Sequence, residues 1–287
     1  MKADIRYCST CMLDALLMEM SLFQPSVEVQ KQEFNKLIKD LADKEGETPI
    51  TIQNPYITRL HRLAGYDFYQ EMREQDDREM MKLTPAVKEM IDNSEDSFRT
   101  ALKFAILGNL IDPAGQSEKS PADVLAEAAK VPLAIDDSDR LKERLGQASS
   151  ILYIADNAGE VALDKMFIDY LKDQILPKDC RINFGVRGTQ VHNDARESDT
   201  AIVGLDKICT IINAGTSYAG AIIEESSEEF QKAYYDADII ISKGMGNYEV
   251  LENRTDKPIA LLLVAKCVPI SEHLGVERGM PVCKLTI

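Results

Sequence analysis

Five short apolar runs in this chain are each followed at once by a compact polar or glycine cluster rich in ion-holding side chains. The sharpest is Ile151-Leu152-Tyr153-Ile154-Ala155, followed by Asp156-Asn157-Ala158-Gly159-Glu160. A carboxylate beside an amide presents two hard oxygen donors, which suits a divalent cation. A helix opening at Ala158 would add its positive end for an anion. The same dipeptide also reads as a helix cap, because Asp and Asn accept from free N–H groups.

The second cluster, residues 188–195, contains His192-Asn193-Asp194. Asp194 supplies a third oxygen donor, or else caps a helix over 196–204, and His192 reads as a loop or supporting residue. The third, Ser242-Lys243-Gly244-Met245-Gly246-Asn247, sets an ammonium beside glycine N–H groups, a cradle for phosphate. It is not a Walker A loop, since no Gly-Lys-Ser/Thr follows. In the fourth, Lys266-Cys267 ends an apolar run, and a lysine there must reach solvent or pair with an anion. Two lysines at neighbouring strand ends favour a phosphoryl group. The fifth, Asn213 to Ser217, offers hydroxyl and backbone donors to a substrate.

Two motifs lie outside these runs. Asn109 and Asp112 are three apart at a helix end and share a face, which turn chemistry alone explains. Cys8-Ser9-Thr10-Cys11 is half of a zinc or redox signature, with no second close pair to complete four ligands. Packing, a redox pair or a site shared with a distant cysteine all fit it.

The elements that must carry these clusters divide the chain in two. Apolar positions at three- and four-residue spacing predict helices over 10–22, 27–43, 54–74, 84–92 and 96–111, with Pro25, Pro49, Pro55 and Pro85 as punctuation. A further helix follows Ser120-Pro121. From about residue 148 strand-like runs at 150–155, 181–186, 208–212, 238–242 and 259–265 alternate with helical patterns. Alternation of that kind predicts βαβ units and a parallel sheet with right-handed crossovers. The expected fold is a three-layer α/β/α core (99–287) with a mainly parallel Rossmann-like sheet, and an N-terminal α-helical subdomain (1–98). Ligands of such sheets bind outside the carboxyl ends of the strands, where the five clusters fall.

Composition sets bounds. At 287 residues and 45% hydrophobic, the chain can bury a sizeable core. A net charge of −15 without a basic run argues against nucleic acid and anionic membranes as partners. The six scattered cysteines do not form a secreted framework, and the longest apolar run, Ile259 to Ala265, is too short for a membrane span, so a cytoplasmic location is expected.

Taken together, Cys-x-x-Cys at 8–11, Gly-Asn-x-x-Asp at 108–112, Asp-Asn-Ala-Gly-Glu at 156–160, Asn-Asp-Ala at 193–195, Lys-Gly-x-Gly-Asn-Tyr-Glu at 243–249 and Lys-Cys at 266–267 resemble one family in order and spacing. It is the metal-dependent damage-control phosphatases, also known as domain of unknown function 89, with Cys-x-x-Cys pointing to the prokaryotic-type branch. The resemblance spans essentially the whole chain. It implies phosphatase activity on phosphorylated small metabolites, with a divalent cation (Mn, Co, Ni or Mg). It also implies Asp156, Asn157 and Asp194 as metal ligands, and Lys243, Gly244, Lys266, Ser217 and Asn109 at the substrate. Asp194 and Glu160 are both candidates to take a proton from water. His192 and Arg196 depart from the family pattern, where smaller or less polar residues are expected. Two other functions compete with this one. A methyltransferase using S-adenosylmethionine would need a glycine-rich first turn and a ribose-gripping acid, which Asp156 to Gly159 imitates poorly. A non-catalytic metal or metabolite sensor would bind without turnover.

Overall fold

The computed structural model describes residues 1–44, 47–108 and 121–287. It contains twelve α-helices and one seven-stranded sheet among those residues. The strands are β1 (Ile135–Asp136), β2 (Ser150–Ile154), β3 (Arg181–Val186), β4 (Thr210–Asn213), β5 (Ile239–Lys243), β6 (Ile259–Val264) and β7 (Pro281–Leu285). Their spatial order is β1-β7-β6-β5-β2-β3-β4, parallel except for the antiparallel β6/β7 pair. The five strands expected from apolar runs are present. β1 and β7 were not expected: one is two residues long and the other carries Cys283 and Lys284, so neither shows an apolar run.

β6 is buried at every residue, as a central strand covered on both faces should be. Alternate side chains feed two cores. Ile151, Tyr153, Ile241 and Leu262 pack with α4 (Gln70–Asp92), α5 (Ser97–Leu107) and α8 (Val161–Gln174). Leu152, Ile154, Ile240 and Leu261 pack on the other face with α10 (Glu228–Asp236), α11 (Gly244–Leu251) and α12 (Val268–Leu274). A third, smaller core joins α1 (Ile5–Phe23), α2 (Val27–Asp43) and α3 (Pro49–Ala64) through Met12, Leu16, Leu37, Tyr56 and Leu60. The remaining helices are α6 (Pro121–Ala128), α7 (Ser138–Leu145) and α9 (Glu197–Val203).

The helical boundaries differ from the periodic pattern in one instructive way. The stretch expected as a single helix over 54–74 is broken by Gly65, which takes a left-handed φ of 71° and closes α3 by donating its N–H to His61 O. Pro55 and Pro85, expected as boundaries, lie inside α3 and α4. No described helix is long and apolar enough to cross a membrane. The α1–α3 layer meets the carboxyl ends of the strands. Thr58 of α3 donates to Ser217 in the loop after β4 at 2.9 Å, and Glu19 of α1 holds His192 in the loop after β3 at 2.7 Å.

Candidate active site

Asp156 and Asp194 lie on different loops that the backbone joins. Ala195 N donates to Asp156 O at 2.8 Å and Ala158 N to Asn193 O at 2.9 Å, and Asn157 and Asp194 form an isolated antiparallel bridge. The loops after β2 and β3 are thus zipped together at neighbouring strand ends. Both acids are nearly buried, at 8% and 4% exposed. Asn157 Nδ2 donates to Asp156 Oδ2 at 3.2 Å, which puts the three expected ligands in one cluster.

Arg187 was not singled out from sequence, yet it links this cluster. Its Nε donates to Asp194 Oδ2 at 2.6 Å, and its Nη2 stands 4.0 Å from Asp156 Oδ1. Nη1 reaches Asn247 Oδ1 at 3.2 Å and Nη2 reaches Ala219 O at 3.0 Å. Asn247 of α11 also accepts from Ala221 N at 2.9 Å and donates to Ala155 O and Lys243 O at 3.0 and 2.7 Å. One buried amide therefore fastens α11 to the end of β2 and orients the guanidinium. The signal for Arg187 was present, since it directly follows β3, where the rule of strand then polar loop applies.

Lys243 lies differently from its expected place against a phosphate. It is 1% exposed, and its Nζ pairs with Glu160 Oε2 and Asp164 Oδ1, each at 2.6 Å. Tyr153 donates to the same Asp164 oxygen at 2.6 Å. Burial works against the Lys243 charge, but Asp164 and Glu160 outweigh it and raise its pKa above the ordinary lysine value. Burial raises the Asp164 carboxyl to about 6 against the pull of Lys243. Glu160 Oε1 accepts from Asn157 N at 3.0 Å, so the buried ion pair also shapes the Asp156-Asn157 turn.

Burial first, then the like charges of Glu160 and Asp194, push the Asp156 carboxyl well above the usual carboxylate range, against Arg187 and Lys266. Asp194 is raised by burial as well, opposed by Arg187. Lys266 is lowered by burial while Glu160 and Asp156 act in the opposite sense, which sets its ammonium within electrostatic reach of both acids. Gly244 opens α11 with a φ of 78°, and a Cβ there would fall 1.9 Å from Asp156 Oδ2. The backbone at this point sits directly against the carboxylate. Among the described residues no three His, Cys, Asp or Glu side chains form a metal-holding group. The donor set on offer is two carboxylates and an amide. Crowded, dry, hard-oxygen donors of that kind fit a divalent cation.

A cleft of ≈ 570 Å³ opens between α3 and the loops after β3 and β4, the first of which also carries Asp194. Asn54, Thr58, His61, Arg62, Gln190 and Arg196 line it, with Thr216 and Ser217 opposite. Ser217 accepts from Thr58 at 2.9 Å, and Thr216 Oγ1 is buried without a partner among the described residues. Asn109 lies outside the described residues. The cysteines are all free, Cys8 buried and Cys11 exposed.

The profile of the damage-control phosphatase ARMT1-like domain matches residues 5–282. A protein of Archaeoglobus fulgidus named damage-control phosphatase is 32% identical, the match covering 97% of each chain. An uncharacterized protein of Methanocaldococcus jannaschii is 34% identical over 87% of this chain and 86% of its own. The crystal structure of a DUF89 family protein from Pyrococcus horikoshii superposes with a TM-score of 0.88 at 29% identity, covering 100% of both chains.

Proposed function

The chain belongs to the damage-control phosphatase ARMT1-like family, and from that membership we infer that its strand-end cluster hydrolyses phosphomonoesters of damaged or side-product small metabolites, sugar phosphates among them. The protein is a phosphatase, a hydrolase of small phosphorylated molecules. A divalent cation suits the family and the donor set. Mn, Co, Ni or Mg would be held by Asp156, Asn157 and Asp194. When bound, such an ion supplies Lewis-acid polarisation of a phosphoryl oxygen and lowers the pKa of water.

The observation that carries this reading is the zipping of the two acid-bearing loops, with Arg187 on one acid and within 4.0 Å of the other. Arg187, its guanidinium already held by Asp194, Asn247 and Ala219 O, fixes the acid pair from a buried position, and Lys266 offers a phosphoryl group a point charge on the side of Asp156 and Glu160. Lys243 enters as the buried counter-charge that fixes Glu160, rather than as a direct phosphate contact, because two carboxylates already hold its ammonium. Glu160 has one oxygen on Asn157 N and the other on Lys243, which leaves proton acceptance from the attacking water to Asp194. Positioning and electrostatics do most of the work in phosphoryl transfer, and this cluster supplies both. The cleft receives the leaving alcohol, with Ser217 and Thr58 as hydroxyl partners.

The test is a metal-by-substrate screen on protein stripped with chelator. Activity on a generic aryl phosphate is expected to return with Mn or Co. Asp156→Ala should lower the rate at least about 100-fold, or about 2.7 kcal/mol of transition-state stabilisation. An Asp156→Ala protein as fast as wild type with either metal would rule out this site.

A further inference from the structure

We propose that Glu19 of α1 is a positioning residue that acts through His192 to hold the backbone turn carrying Asp194, and so sets the spacing of the two candidate metal-ligating carboxylates. The proposal rests on the phosphatase reading of that cluster and adds to it a role for the helical layer.

His192 has a φ of 46°, one of only two non-glycine residues with positive φ among those described. A non-glycine side chain at that φ is uncommon and persists only where its surroundings over-determine it. The turn it occupies is closed by Asp194 N donating to Val191 O at 3.0 Å, so the strained residue lies inside the loop that presents the carboxylate. What holds it is the imidazole: Nδ1 lies 2.7 Å from Glu19 Oε1.

Glu19 is itself held from other directions. It is fully buried, receives Tyr69 Oη on Oε1 at 3.0 Å, and has His61 Nε2 2.9 Å from Oε2. His61 is in turn stacked on Phe68, with ring centroids 4.5 Å apart and planes within 7°. The same loop is pinned on either side of His192 by Asp67, which accepts from Gln190 at 2.9 Å and from Arg196 at 3.0 Å. A helix that needed only to pack would do so at less cost with an apolar side chain than with a buried carboxylate. The charge gains direction: it fixes one ring nitrogen, and with it one backbone conformation two residues before Asp194.

The experiment measures Mn²⁺ affinity by isothermal titration calorimetry on the full chain, for wild type, Glu19→Ala, His192→Ala and the double variant. Glu33→Gln serves as control, since Glu33 is another buried acid of the helical layer, paired with Arg59 and Lys36 away from the cluster. Each single variant is expected to weaken Mn²⁺ binding at least tenfold. The double variant should lie within twofold of the weaker single, because the two residues act through one contact. Glu33→Gln should stay within twofold of wild type. If Glu19→Ala does not fold, His192→Ala decides alone, since its side chain is 25% exposed and its loss is better tolerated. Affinity within twofold of wild type in His192→Ala overturns the proposal. So do additive losses in the double variant, or an equal loss in the control, which would indicate general loosening of the helical layer. A wild-type protein that binds no Mn²⁺ overturns the phosphatase site and this proposal with it. Normal wild-type binding with unaffected variants overturns this proposal alone.

Discussion

At the scale of single residues, the cluster is defined by how closely groups that repel or exclude one another have been brought together. Gly244 is the tightest case. Its left-handed φ already disfavours any side chain, and the space a Cβ would need is taken by the Asp156 carboxylate. Gly244→Ala is therefore expected to displace Asp156 and lower metal-dependent phosphatase activity at least about 100-fold, equivalent to about 2.7 kcal/mol. Unchanged far-ultraviolet circular dichroism alongside the kinetic loss would separate this from unfolding, and near-wild-type activity would refute the close approach. Arg187 is the opposite case, a charge recruited to relieve repulsion between acids. It lies one residue outside the motif that draws the eye in the sequence.

Elements position these residues by gripping loops at both ends of the cluster. α4 reaches the loop after β2 through Asp77, whose Oδ1 accepts from Gly159 N at 2.7 Å. It reaches the start of α9 through Arg73, whose Nε donates to Asp199 Oδ2 at 3.3 Å. Asp77 and Asp199 face one another, and burial, then the Asp199 charge, raise Asp77 to about 8. A proton shared by the pair would satisfy Asp77 Oδ2, which otherwise has no partner among the described residues. The unfolded chain releases that proton near the ordinary value of 3.8, so the native state binds more protons between the two values. This contribution to stability is fully present below about pH 4 and is lost as pH rises through about 8. Asp77→Asn keeps an acceptor for Gly159 N and removes the titration. Its melting temperature should exceed that of wild type by at least about 3 °C at pH 9, with a smaller difference at pH 6. A parallel pH dependence in both proteins would show that the pair does not share a proton.

For the whole molecule, the sheet and the α1–α3 layer meet at the carboxyl edge, and the cluster and cleft lie where they meet. Ligand binding there should couple to global stability, because only the folded chain joins the loops after β2 and β3. Mn²⁺ at about 100 times its dissociation constant is expected to raise the unfolding free energy by about 2.7 kcal/mol. Urea denaturation with and without the ion measures this, and the increment should vanish in Asp156→Ala. A Cβ on Gly159 would lie 3.2 Å from Asp76 Cβ, so α4 packs directly against the turn after β2.

The chain's local chemistry was enough to determine that β2 to β6 are strands, that helices separate them, and that hard oxygen donors and ammonium groups end them. Apolar runs, capping residues and charge are properties of neighbours in sequence, so they survive without a fold. β1 and β7 were not legible, because an edge strand of two residues and a strand containing a lysine leave no periodic trace. The direction of each charge was equally out of reach. Lys243 ends β5 and Lys266 follows β6, yet the first turns inward onto Glu160 and Asp164, which β2 and α8 bring beneath it. Only the tertiary structure decided that Arg187 joins Asp194 near Asp156, and that Glu19, 173 residues from His192, is the group that holds it. Long-range polar contacts depend on which loops the sheet order places side by side, and no spacing along the chain encodes that.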